Sequence, residues 1–300
     1  MPIRNVHPTV ERGAKRPGAP WRQLVFLWWL TVCVLGGCGA FANIRSQPSP
    51  TDPHSRHPLT VMSFNIRVGY GNRDHGVDPF TLSRRQERLG PIADAIRSQD
   101  ADIVGLQEVR GRDQAERLAR RLNMNYAYAG HATGVSLPSW WGVALLSKYP
   151  VTSAKGFAIS YGRGNCKSAL QCALDIGGRP MIFIVVHKDK DVKDGSPLRR
   201  VMARISRTDG MVILMGDFNM QPRDPRLAIV KSRFVDSAWT AQTTRARAAR
   251  RTGTFLGVGR IDYIWIDPHQ FKVVDAGLVD RRFWNASDHL AYWTRVVPIE

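Results

Sequence analysis

Asp102-Ile103-Val104-Gly105-Leu106-Gln107-Glu108-Val109 decides the fold class of this 300-residue chain. Ile103, Val104 and Leu106 form an apolar run too short for a helix, and the run ends abruptly in Gln107 and Glu108. That pattern reads as a short buried strand with a carboxylate at its end. The same design recurs outward along the chain. Val61-Met62-Ser63-Phe64 runs into Asn65, Ile182–Val186 into His187, and Val212–Gly216 into Asp217 and Asn219. Asp262 lies in Arg260-Ile261-Asp262-Tyr263-Ile264, and Asp288 and His289 precede the last strand. One strand-terminal Asp or Asn is ordinarily a turn former. Six such ends in one chain predict a rim where polar groups converge.

Between these runs the pattern fills in. Strands are predicted over 59–67, 102–107, 141–147, 167–176, 180–187, 211–215, 260–266, 271–278 and 289–297. Leu89, Ile92, Ala93 and Ile96 share one face of a helix over 84–97, with Pro91 in its first turn or kinking it. Further helices are predicted over 113–122 and 224–231, and another starting at Ser196-Pro197, where Ser suits the cap and Pro the first turn. Strands dominate and helices intervene irregularly, which predicts an α/β sandwich of two packed sheets over residues 59–300. With 43% hydrophobic residues the chain has an ordinary globular composition, and a domain of this size needs no disulfides to fold.

The net charge of +18 is not ordinary, and residues 1–37 supply only +4 of it. The excess favours an anionic partner such as nucleic acid, a phospholipid headgroup or a phosphorylated small molecule; the plainer reading is Arg used for solubility. A basic start, an apolar run over 24–35 and Gly36-Gly37-Cys38 form an export signal. Leu35-Gly36-Gly37-Cys38 resembles a bacterial lipobox, so residues 1–38 read as a signal peptide whose Cys carries a lipid anchor. A plain secretory cut or an uncleaved anchor are the alternatives. Polar, Pro-rich residues 39–58 read as a flexible tether. Cys166 and Cys172 would sit in an oxidising compartment. An extended stretch between them spans about 20 Å, whereas a disulfide needs Cα atoms within about 7 Å, so a bond requires a loop there.

Taken in order, Ser63-Phe64-Asn65-Ile66-Arg67, the Asp102–Val109 block, Gly142-Val143-Ala144-Leu145-Leu146-Ser147, Val186-His187, Gly216-Asp217-Phe218-Asn219, Arg260–Ile264 and Ser287-Asp288-His289 resemble the endonuclease/exonuclease/phosphatase superfamily. Its members include pancreatic-type deoxyribonuclease, abasic-site endonucleases, neutral sphingomyelinases and inositol polyphosphate 5-phosphatases. The resemblance implies a four-layer α/β sandwich, with two mixed sheets packed face to face and helices outside. It also implies roles. Glu108 would hold Mg²⁺ or Mn²⁺, with Asn65 beside it and Asp288 as ligand or partner of a bound water. Asp217 would orient or deprotonate the attacking water, and Asn219 would hold a phosphate oxygen. His289 would bind or protonate the phosphoryl group, backed by Asp262. His187 would face the leaving group, although His187-Lys188-Asp189 departs from the commoner Thr-His-Leu and leaves a core role open.

The implied activity is hydrolysis of a phosphodiester by an extracytoplasmic nuclease. The alternatives are a lipid phosphodiesterase or phosphoinositide phosphatase, and a noncatalytic binding protein on the same fold. Arg245, Arg247, Arg250 and Arg251 stand in a predicted loop that in the family lies near the active rim, where they would grip a polyanion. Trp140-Trp141 would stack a base, wedge into lipid or fill core. Nothing in the sequence points to an obligate protein partner.

Overall fold

The computed structural model describes residues 42–46, 58–72, 87–133, 141–160 and 165–299. The signal and lipobox reading of residues 1–38 lies outside them, as does Trp140. The strands are β1 Ala42–Arg45, β2 Leu59–Asn65, β3 Ile103–Arg110, β4 Asn125–Gly130, β5 Ala132–Thr133, β6 Trp141–Ser147, β7 Val151–Ala158, β8 Asn165–Cys166, β9 Ser168–Ile176, β10 Arg179–His187, β11 Met211–Asp217, β12 Val235–Asp236, β13 Asp262–Ile266, β14 Phe271–Leu278 and β15 Tyr292–Pro298. The α-helices are α1 Leu89–Arg97, α2 Gly111–Leu122, α3 Ser196–Ile205, α4 Ala228–Lys231, α5 Ser237–Thr240 and α6 Thr244–Thr252. One sheet runs β1-β4-β6-β3-β2-β15-β14, the other β12-β13-β11-β10-β9-β7, and β5 pairs with β8 apart from both.

Alternation along the central strands explains the layering. Val61 and Ile103 point into the space between the sheets, where they join Phe183, Val185, Ile213 and Met215. Their neighbours Met62, Phe64, Val104 and Leu106 point outward and bury Ile92 and Ile96 of α1 and Leu118 of α2. On the far side Ile182, Ile184 and Leu214 pack on Leu198, Val201 and Ile205 of α3. A strand covered on both faces has no polar side, so it reads as an unbroken apolar run. Each such side chain taken from water contributes about 1.5–3 kcal/mol. The architecture is the four-layer α/β sandwich, two mixed sheets face to face with helices outside.

Each sheet carries a parallel pair. β2 lies parallel to β3, with Asn65 opposite Gln107. β10 lies parallel to β11, with His187 opposite Asp217. The polar ends of both pairs meet at one rim. Gly216 permits the last step of β11: at φ 145° it takes a conformation closed to other residues, and a Cβ there would sit 2.0 Å from the Val186 carbonyl oxygen.

Several expectations change. Ala42–Arg45, inside the segment read as a flexible tether, is an edge strand paired with β4 from Ala42↔Ala129 to Arg45↔Tyr126, and Ser46 Oγ accepts the Val151 N–H at 2.9 Å. The stretch 243–251, read as a loop, is helix α6. Thr243 Oγ1 caps it by accepting the Ala246 N–H, and Ala246 and Ala249, one turn apart, are small enough to enter the inter-sheet core. Ser196 is already helical, and Asp194 accepts its N–H at 2.7 Å from outside. Cys172 is a free thiol buried between the sheets, so the disulfide with Cys166 is not formed. Among the described residues no helix is long and apolar enough to cross a membrane.

Gly216→Ala is expected to destabilise the domain by on the order of 3 kcal/mol, from the forbidden φ and the carbonyl clash together. A urea midpoint within error of wild type would refute this account of β11.

Candidate active site

The rim is built from strand ends. Register places His187 beside Asp217 across β10–β11, and Asp217 beside Asp262 across β11–β13. Asn65, at the end of β2 in the other sheet, donates its amide to Asp217 Oδ2 at 3.1 Å and joins the sheets directly. Its own Oδ1 accepts the Arg67 N–H at 3.0 Å, which orients the amide. Asp217 Oδ1 accepts the Asn219 N–H at 2.8 Å, while the Asn219 side chain donates to the Lys188 carbonyl at 2.8 Å.

Glu108 reaches the rim through an irregularity. The β3–β6 register slips between Gln107 and Val109, and Glu108 sits there at φ 53°. Left-handed backbone on a non-glycine costs about 1 kcal/mol, and the bulge re-aims a side chain that regular alternation would fix. Asn219 shares this conformation at φ 50°, at less cost because Asn tolerates it. His187 Nε2 then lies 3.8 Å from Glu108 Oε1 and 3.8 Å from Asp217 Oδ2. These separations are too long for hydrogen bonds, so the three groups face one another without direct pairing.

His289 faces Asp217 from the third side. Its Nδ1 is bonded to Asp262 Oδ2 at 2.8 Å and its Nε2 stands 3.9 Å from Asp217 Oδ2. The Phe255 ring packs on the imidazole at 4.6 Å between centroids. Thr254 Oγ1 accepts the N–H groups of Ile261 and Asp262 and so anchors the strand that carries the carboxylate. Ser287 Oγ donates to the Asn65 carbonyl at 2.7 Å, which ties the Ser-Asp-His turn to β2. Asp288 stays near the rim, paired with Arg67 Nε at 3.3 Å.

Removal from water dominates the electrostatics. Burial, reinforced by Asp262, pushes the Asp217 carboxyl up to about 7 against the pull of His289. Burial likewise raises Glu108, although His289 and Lys167 oppose it. Burial alone would lower His289, but Asp262 outweighs it and holds the imidazole up to about 10. His187 has no carboxylate bonded to it, and burial, with Lys167 nearby, keeps it neutral.

Two carboxyls raised by burial side by side would be relieved by a cation. Asp262 Oδ1 is buried without a partner among the described residues. Asp217, Asp262 and His289 offer ligand atoms within 4.8 Å of one another. Because Asp262 Oδ2 and His289 Nδ1 already engage each other, the side bounded by Glu108, Asn65 and Asp217 suits an ion better. Hard oxygen donors with space for water fit a divalent cation of the Mg²⁺ type.

Asn65, Glu108, His187, Asp217, Asn219, Asp262, Asp288 and His289 are therefore brought together. The arginines are not. Arg245 is paired with Asp275 on β14 at 2.6 Å. Arg250 donates to the Ala238 carbonyl and lies 4.8 Å from the Trp239 ring centroid. Both are engaged within the fold, while Arg247 and Arg251 are exposed on α6. Trp141 packs on Val68 and Tyr70, and the Lys167 ammonium lies 5.7 Å from its ring centroid. Sequence reasoning missed Lys167 and His131 beside the site. Lys167 lies between β8 and β9 without any motif, and His131 follows β4, whose Asn-Tyr-Ala-Tyr-Ala composition carries no strong strand signal.

The model of the Endonuclease/Exonuclease/phosphatase family matches residues 62–289, which include every residue of the rim. Protein Cwh43 of Schizosaccharomyces pombe is 32% identical over 159 residues, 51% of this chain and 16% of its own. Mouse sphingomyelin phosphodiesterase 2 is 23% identical over 192 residues, 57% of this chain and 45% of its own. The chain thus spans less than half the length of these curated relatives. The catalytic domain of human Nocturnin with bound sulfate superimposes with a TM-score of 0.63 at 20% identity, covering 86% of this chain and 97% of that one.

A cation entering this pocket must drive the proton from Asp217. With that carboxyl near 7, Mg²⁺ affinity is expected to fall as pH drops below about 7, with release of about one proton. Calorimetry in buffers of different ionisation enthalpy reads the proton directly; a pH-independent affinity would contradict the site.

Proposed function

The chain belongs to the Endonuclease/Exonuclease/phosphatase family, and on that premise we propose that it is a divalent-cation-dependent phosphodiesterase acting on a substrate presented at a lipid surface. One observation carries the reaction: Glu108, His187, Asp217 and the Asp262–His289 pair converge from two sheets with gaps of 3.8–3.9 Å between them. Mg²⁺ or Mn²⁺, held by Glu108 with Asn65 and Asp288 in support, would supply the positive charge that a phosphodiester needs as it accepts a fifth oxygen. The chain's own groups do the rest. Asp217, poised near neutrality, accepts the proton of the attacking water. His289, protonated because Asp262 backs it, hydrogen-bonds a non-bridging oxygen and offsets its growing charge. Asn219, whose backbone N–H is held by Asp217 and whose amide keeps one N–H beyond that given to the Lys188 carbonyl, would hold a second oxygen. Neutral His187 donates a hydrogen bond toward the leaving group without needing to ionise.

The lipid reading rests on what surrounds His289. Phe255 pairs with His289 as an isolated bridge, and the turn it opens carries Leu256 and Val258, 54% and 45% exposed. Apolar side chains held out beside a phosphoryl site suit insertion among acyl chains. The similarity to a sphingomyelin phosphodiesterase supports the same class. We further propose export and lipid anchoring through residues 1–38, which would keep the enzyme at such a surface. The net charge of +18 and exposed Arg247 and Arg251 favour a second reading, an extracytoplasmic nuclease.

His289→Ala is expected to lower turnover by about 10²–10⁴-fold with the fold intact, and EDTA to abolish it. Near-wild-type rates in either case would remove the proposed mechanism. The full chain, assayed with Mg²⁺ on sphingomyelin vesicles, plasmid DNA and RNA, separates the substrates. Vesicle hydrolysis that Leu256→Asp/Val258→Asp reduces by about tenfold or more, while a soluble diester is still cleaved, supports the lipid reading. Cleavage of plasmid or RNA that weakens steeply with salt, without vesicle hydrolysis, supports the nuclease.

A further inference from the structure

We propose that His131 and Lys167 form a two-donor clamp for the phosphoryl group, on the His187 side of the site. The assignment deepens the phosphoesterase reading above and rests on it.

The β5–β8 ladder pairs Ala132 with Cys166 and Thr133 with Asn165. His131 immediately precedes β5 and Lys167 immediately follows β8, so one short pairing positions both. The surrounding backbone is pinned as well. His131 N–H donates to the Trp141 carbonyl at 2.8 Å, and the Lys167 carbonyl accepts from Ile159 at 2.8 Å and Ser160 at 3.3 Å. A site held this way loses little freedom when it binds.

His131 is 5% exposed. Its Nδ1 accepts the Ser168 N–H at 3.0 Å, so its hydrogen sits on Nε2. That Nε2 has no partner among the described residues, and neither does His187 Nδ1. A buried N–H left unbonded carries its desolvation cost uncompensated, and an incoming acceptor would recover it. The ring lies 5.8 Å from that of His187, tilted by 54°, so the free donor stands beside a residue of the reaction centre.

Lys167 brings the charge. The residue is only partly open to solvent, and burial lowers its ammonium pKa. Its charge acts on Glu108, Asp217 and both histidines. A cation and a neutral N–H donor beside a cation-binding carboxylate fit one chemistry: an anion with several acceptor oxygens that also ligates the metal. A phosphoryl group meets that description. The competing role is a structural counter-ion to Glu108 and Asp189, which would govern stability and cation affinity but not anion affinity.

The full chain with Mg²⁺ is titrated with inorganic phosphate, and Mg²⁺ binding is measured separately. Lys167→Gln and His131→Phe are each expected to weaken phosphate binding about tenfold or more, while Mg²⁺ affinity stays within about twofold. Lys167→Arg is expected to retain most of the phosphate affinity. With bis-p-nitrophenyl phosphate, KM should rise more than kcat falls. Folded variants with unchanged phosphate affinity, or a wild type that binds no phosphate, would overturn the clamp. Should the variants fail to fold, imidazole ¹⁵N resonances of the wild type decide: His131 Nε2–H must shift with phosphate, and a silent resonance refutes the proposal. Phosphate held by these residues without turnover of any phosphoester would sink the proposed function and leave the clamp standing.

Discussion

Asp217 is a carboxylate only 2% exposed, at the seam where two sheets meet, and the rim is organised around making that tolerable. A desolvated carboxylate without partners would cost several kcal/mol. Here Asn65 arrives from the opposite sheet to donate to one oxygen, and Asn219 donates from the next turn to the other. His289 stands behind with a positive charge, itself secured by Asp262. Burial at this seam, reinforced by Asp262, raises Asp217, while the Asn65 bond that ties the sheets pulls the other way.

The irregular backbone fits the same logic. Glu108 occupies a bulge in the left-handed region, and Gly216 uses a conformation available to glycine alone. Both lie one step from the seam, where a regular strand would point its side chains alternately into the core and toward the helices. Carboxylates in either place would be buried in apolar surroundings. Local strain of about 1 kcal/mol is small against that burial. Strain is therefore spent where the polar rim needs side chains that the pleat cannot supply.

Much of this was legible in the sequence. The apolar runs at 61–64, 103–106, 182–186 and 212–215 became the four central strands, because a strand covered on both faces has no alternation to obscure it. The residues ending those runs became the rim. Less legible were β1 and β4, where Ala, Asn and Tyr replace β-branched residues and pairing with a neighbour decides the conformation. The Arg-rich stretch over 244–252 looked solvated and loop-like, yet its two inward alanines make it a helix packed under the sheets.

Order and spacing of polar residues along the chain determined the family, the layered fold and which strand-end polar residues gather at one rim, because strand direction carries each to an end of the sheet. Only the tertiary structure decided that Arg245 and Arg250 are engaged elsewhere, that Cys172 remains a thiol, and that His131 and Lys167 stand at the rim. Those outcomes depend on contacts between segments far apart in sequence. A side chain's partner is set by what the opposite sheet or a distant loop places within a few ångströms, and no local pattern records it.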